Sequence, residues 1–110
     1  RGINNNIVNV PLPAGTDSLL FKKSYEDIII PNLKKFSPDI IFISAGFDAH
    51  KDDPLADFRL TKDDFYWITK VLNNFATKHC KGKLISCLEG GYNIKALSES
   101  CLEHVKGLIL

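Results

Sequence analysis

The chain has 110 residues, 45% of them hydrophobic and 25% charged, which is enough apolar material for one core and leaves no room for a second domain. Fourteen basic residues against thirteen acidic ones leave a formal charge of +1, and Lys22-Lys23 and Lys34-Lys35 are pairs rather than a basic run. This balance argues against nucleic-acid or anionic-membrane binding, and no apolar run approaches the length of a membrane span. Cys80, Cys87 and Cys101 are odd in number and lack C-x-x-C spacing, which argues against a disulfide framework and a zinc knuckle and fits a reducing compartment.

In chain order, residues 6–10 read as a short strand closed by Pro11-Leu12-Pro13-Ala14-Gly15. Thr16-Asp17-Ser18 offers helix caps, and Leu20, Phe21, Tyr25, Ile28 and Ile29 recur at helical spacing as a buried stripe. Pro31 predicts a bend, with Leu33 and Phe36 continuing the apolar face until Ser37-Pro38-Asp39 ends the helix. Residues 40–45 form an unbroken apolar run, the pattern of a strand buried on both faces of a parallel sheet. Thr61-Lys62-Asp63-Asp64 reads as a capping box opening a helix with Phe65, Ile68, Leu72 and Phe75 on one face, and Lys78, His79 and Gly82 mark its end. Residues 83–88 form another apolar strand, in which Cys87 is expected to be buried. The turn Glu89-Gly90-Gly91-Tyr92-Asn93 then leads into a helix with Ile94, Leu97, Cys101, Val105 and Leu108 on its apolar side.

The order β-α-β-α-β-α, with right-handed crossovers, predicts parallel strands and brings the loop at residues 46–54 and the turn at residues 89–93 to one sheet edge. Ligands bind at such edges in open α/β sheets. Asp48 is either a turn cap or a metal ligand, and Tyr92 either covers the sheet edge or donates a hydrogen bond to a polarised carbonyl. A carboxylate and a phenol in one crevice are complementary tools for amide hydrolysis. The chain starts without Met and ends on Leu108-Ile109-Leu110, so it is expected to be an excerpt of a larger protein.

Ser44-Ala45-Gly46-Phe47-Asp48-Ala49-His50 with Asp53-Pro54-Leu55, then Phe58-Arg59-Leu60-Thr61 and Leu88-Glu89-Gly90-Gly91-Tyr92-Asn93, resemble the C-terminal part of the zinc-dependent histone deacetylase family. Asn9-Val10-Pro11-Leu12-Pro13-Ala14-Gly15-Thr16 matches an upstream segment of that family, and the nearest flavour is the class II type with its bacterial deacetylase-like and acetylpolyamine amidohydrolase relatives. The resemblance implies a portion of an α/β three-layer sandwich of the arginase-deacetylase type, with residues 1–110 as the C-terminal portion of one catalytic domain. It further implies Asp48 as a Zn2+ ligand, Tyr92 as the catalytic tyrosine, Gly90 and Gly91 as walls of an acetyl-lysine channel, and Leu55 at its rim. His50 accompanies the motif without ligating, and neither His79 nor His104 is expected to ligate. The family's other two zinc ligands and its tandem histidines are missing from the sequence, so the segment alone is expected to be inactive. The implied activity is hydrolysis of N-acetyl-lysine amides on histones or other proteins, in the nucleus or cytoplasm, with corepressor-type proteins as possible partners. An acetylpolyamine amidohydrolase and a catalytically silent acetyl-lysine-binding module are the alternatives.

Overall fold

The apolar runs that end at Ala45 and Leu88 become the two strands of the sheet. A computed structural model describes residues 1–110 in the order 3-10 turn (Ile3–Asn5), α1 (Ser18–Ser24), π-helical turn (Tyr25–Ile29), α2 (Ile30–Phe36), β1 (Ile41–Ala45), α3 (Lys62–His79), β2 (Leu84–Leu88) and α4 (Ile94–Ile109). Strands β1 and β2 pair in parallel, with Ile41 opposite Leu84 and Ala45 opposite Leu88. Parallel pairing in this register brings both strands to their carboxyl ends together, so the two loops that follow leave from one edge.

The expected strand at residues 6–10 does not form: these residues are irregular and have no ladder partner. Apolar alternation proposes a strand, but a neighbouring edge has to accept it. The expectation that the first apolar run is buried on both faces is also corrected. Ile41 and Ala45 are buried and Ile43 packs on the core, whereas Phe42, at 68% exposure, and Ser44 face out. In β2 the outward positions are Ile85 and Cys87, so Cys87 is exposed rather than buried. Side chains alternate along a strand, and only one face of this sheet carries helices in this chain. A three-layer sandwich places its second helical layer on the other face.

Pro31 sits at the start of α2, and the chain accommodates it with a register shift. The Ile30 N–H reaches back to the Tyr25 carbonyl, a π-type bond one residue longer than the α pattern, directly before the proline that cannot donate. Ile30 and Leu33 pack on Ile41, Phe75, Ala76 and Cys80. Phe21 packs on the cluster of Ala45, Phe47, Leu60 and Phe65, whereas Leu20, Ile28 and Phe36 of the expected stripe are exposed.

Helix α3 begins as the sequence predicts. The Asp64 carboxylate accepts the Thr61 N–H at 2.9 Å, and the same buried carboxylate accepts the Ser18 hydroxyl at 2.6 Å, so the cap also ties α1 to α3. Such a cap contributes about 1 kcal/mol. Phe65, Ile68, Leu72 and Phe75 are all buried. In α4 the buried positions are Ala96, Ser100, His104 and Gly107, not Ile94 and Val105, which are exposed. A Cβ on Gly107 would come within 2.7 Å of Thr69 Cβ, so small residues, not the large apolar ones, face α3 and let the helices approach closely.

His104 is the polar centre of that interface. The Thr69 hydroxyl gives its one hydrogen to the Phe65 carbonyl at 2.6 Å, so it accepts from His104 Nδ1–H at 2.7 Å. Nε2, left without a hydrogen, accepts from the Ser86 hydroxyl at 2.8 Å. Desolvation by burial holds the imidazole below its usual pKa and so favours the neutral ring, for which the network selects the Nδ1–H tautomer. A depressed histidine pKa means that the unfolded chain takes up the proton first. Its contribution to stability is therefore complete above the unfolded value of about 6.5 and is lost as the pH falls through the folded value. Thermal unfolding followed by circular dichroism is expected to show a midpoint that drops as the pH falls below about 6.5, and His104→Gln is expected to flatten that dependence.

Candidate active site

The loop after β1 and the turn after β2 are laced together before any side chain is considered. Glu89 N–H donates to the Ala45 carbonyl at 3.0 Å, and Phe47 N–H donates to the Gly90 carbonyl at 2.9 Å, extending the parallel ladder one step past each strand. Phe47 is the anchor. It is buried and meets Phe65 edge-on at 5.1 Å and His104 edge-on at 5.6 Å, which fixes the backbone from which Asp48 projects.

Asp48 is half-buried, and no protein hydrogen bond or ion pair engages its carboxylate. The carboxylate lies against the glycine turn: a Cβ on Gly90 would stand 3.1 Å from Asp48 Cγ, and one on Gly46 would stand 3.0 Å from Oδ1. Glycine at position 90 is therefore what lets the second loop close over this carboxylate. Gly91 has φ of 141°, a backbone conformation that side-chain-bearing residues rarely adopt, and a Cβ there would also press on the end of the Leu97 side chain at 2.8 Å. Tyr92 follows with 55% of its surface exposed, and Leu55 is 71% exposed on the other loop. The topology thus brings Asp48, Gly90, Gly91 and Tyr92 to one edge from two distant stretches of sequence.

The histidines are engaged in other contacts. His50 is buried, and its Nδ1 accepts the Asp52 N–H at 3.0 Å, so the ring is committed to its own loop. His79 stacks on Phe75 with centroids 4.5 Å apart, and His104 is enclosed between α3, α4 and β2. No group of three His, Cys, Asp or Glu side chains in this chain is arranged to hold a metal ion, so Asp48 alone fits as one donor. A polar hollow of about 410 Å³, lined by His50, Lys51, Lys95 and Glu99 among others, opens beside the same loop and includes neither Asp48 nor Tyr92.

Asp53 is the residue whose role the sequence leaves silent. Its buried carboxylate accepts three backbone N–H groups: Leu55 at 2.8 Å and Ala56 at 3.3 Å on Oδ1, and Tyr92 at 2.8 Å on Oδ2. Burial alone would raise its pKa, but the N–H groups of Leu55, Tyr92, Ala56 and Asn93 outweigh it and the net shift is downward. An aspartate directly before proline, with free N–H groups two and three residues on, is a sequence signal for the local turn. The bond to Tyr92, 39 residues away, leaves no such signal.

Comparison with known proteins bears on the family of the chain. The model of the histone deacetylase domain matches residues 1–108. Type-2 histone deacetylase 2 of Dictyostelium discoideum is 44% identical over 107 residues, covering 94% of this chain and 6% of that protein. Histone deacetylase 14, chloroplastic, of Arabidopsis thaliana is 39% identical over 102 residues, 93% of this chain and 24% of that protein. The crystal structure of the HDA15 HD domain superposes with a TM-score of 0.80 at 33% identity, over 88% of this chain and 26% of that chain. The chain therefore spans about a quarter or less of the length of these relatives, and no helix in it is long and apolar enough to cross a membrane. A parallel sheet of the arginase-deacetylase type and a family match along nearly its whole length lead to one conclusion: this chain belongs to the histone deacetylase family.

Proposed function

We propose that a catalytic domain containing this chain hydrolyses N-acetyl-lysine amides, with acetate as the released acid and an acetylated histone tail or other protein as substrate. The observation that carries this reading is the Asp48 carboxylate, free of protein partners and held against Gly90, two residues before an exposed Tyr92. Asp48 would supply one carboxylate ligand to Zn2+, and the bound ion would contribute Lewis acidity and a lowered water pKa. The Tyr92 phenol donates a hydrogen bond to the acetyl carbonyl oxygen and holds the negative charge that develops there as the carbonyl carbon becomes tetrahedral. Gly90 and Gly91, having no side chains, allow a slender acetyl-lysine stem to pass beside the backbone, with Leu55 as apolar cover at the rim. The three histidines of this chain are engaged in packing or in their own loop, so proton transfer from the attacking water belongs to other residues of the domain. Acetylated protein tails and corepressor-type proteins are the partner classes of this reading, and nucleus or cytoplasm its compartment.

The test is a substrate comparison on the complete domain. Turnover of an acetyl-lysine peptide is expected to exceed that of an acetylated diamine. The reverse order would move the assignment to a polyamine amidohydrolase, and binding without turnover of either would make this a silent acetyl-lysine reader.

A further inference from the structure

We infer that Asp53 is a positioning residue that sets where the Tyr92 phenol stands, by bridging the loop that carries Asp48 to the backbone of Tyr92. The inference rests on the proposed role of Tyr92 and deepens it.

The two carboxylate oxygens divide their work. Oδ1 accepts from Leu55 and Ala56 and closes the local turn, which is all that an aspartate before proline needs to do. Oδ2 points the other way, to the Tyr92 N–H at 2.8 Å. That bond contributes nothing to the turn at residues 53–56; what it fixes is the register between two loops. The need for it lies one step earlier in the chain. Tyr92 follows Gly90 and Gly91, the most permissive pair the backbone allows, and Gly91 sits at φ 141°. A side chain hung after two glycines is free to swing unless its own backbone is held. Asp53 provides that hold, and Asn93 Nδ2, donating to the Asp52 carbonyl at 3.2 Å, adds a second tie immediately beyond.

The choice of a carboxylate supports the same role. Asp53 is 8% exposed, and no Lys, Arg or His forms an ion pair with it. A buried charge without a cationic partner is costly unless hydrogen bonds replace its hydration. Hydrogen bonds to an ionised acceptor are roughly twice as strong as neutral ones. The charge is thus spent on backbone N–H groups of two loops, one of which leads to each proposed catalytic side chain.

A double-mutant cycle on the complete domain, with Asp53→Asn, Tyr92→Phe and the pair, tests this. Asp53→Asn keeps the shape and can keep the Oδ1 bonds, but it replaces the acceptor facing Tyr92 N–H with a donor. Its expected effect is a loss in kcat on the order of tenfold to a hundredfold, the scale of misplacing a catalytic group by about 1 Å, with KM and zinc content near wild type. In the Tyr92→Phe background the same change is expected to cost little more, because the group it positions has gone. Hydrogen exchange at the Tyr92 amide is expected to be slow in the wild type and faster in Asp53→Asn. Equal losses in both backgrounds would reduce Asp53 to a general structural residue and overturn the inference while leaving Tyr92 catalytic. A Tyr92→Phe domain that keeps its turnover would overturn the proposed catalytic role of Tyr92, and this inference with it. If Asp53→Asn loses its fold by circular dichroism, the wild-type exchange rate decides, and an unprotected Tyr92 amide overturns the inference.

Discussion

Tyr92→Phe in the complete domain is expected to lower turnover of an acetyl-lysine peptide by on the order of a hundredfold or more, with the fold intact. The magnitude follows from where charge appears. In the ground state the acetyl oxygen is a neutral acceptor and a phenol adds little, whereas in the transition state the oxygen approaches a full negative charge and one fixed donor is worth far more. The structure makes the substitution clean. Tyr92 is 55% exposed, its side chain has no hydrogen-bond partner within the chain, and the contact that holds its place is made by its backbone N–H. Phe keeps that backbone bond and the ring, and removes only the hydroxyl. The loss should therefore fall on kcat, with KM changing much less, and steady-state kinetics separate the two. A variant that retains most of its turnover would leave Tyr92 as cover for the sheet edge.

Asp48→Asn is expected to lower zinc content and turnover together, by at least tenfold to a hundredfold in each. The two side chains are nearly isosteric, which matters because the site has no slack: Gly90 and Gly46 approach the carboxylate closely enough that a single Cβ at either would crowd it. A loss on Asp48→Asn thus reports charge and ligand character rather than shape. Asp48→Glu, by contrast, keeps the charge and drives the carboxylate into the glycine turn, so it is expected to impair the site for steric reasons. Metal analysis by atomic absorption beside the activity assay tells these cases apart. Unchanged zinc with unchanged turnover in Asp48→Asn would remove Asp48 from the site.

Several elements were legible in the sequence because their causes are local. The capping box at Thr61 and Asp64 and the buried face Phe65, Ile68, Leu72, Phe75 appear as predicted, because a cap and a helical period are both set within a few residues. Strands β1 and β2 and their parallel pairing follow from apolar runs separated by a helix. The misses share another cause. Residues 6–10 carry strand residues but meet no partner edge, and Cys87 lies in an apolar strand but on the face that no helix of this chain covers. In α4 the expected stripe is right at Leu97 and Cys101, which pack on the core, but wrong at Ile94 and Val105, and close approach to α3 selected Ala96, Ser100, His104 and Gly107 as the buried positions. Periodicity locates a face, but the size of the opposing residue decides which face is taken.

The candidate site divides along the same line. From the sequence alone came the two loops, Asp48 and Tyr92 as candidates, and their meeting at one sheet edge, because parallel strands joined by right-handed crossovers leave their carboxyl ends together. Only the tertiary structure showed what makes that edge a single unit: Phe47 anchored against Phe65 and His104, Gly90 closed over the Asp48 carboxylate, and Asp53 bonded to the Tyr92 backbone. These are contacts between residues distant in sequence, fixed by distances of a few ångströms. A residue's type and its near neighbours determine which hydrogen bonds it can make, and the fold alone determines which partner comes within reach.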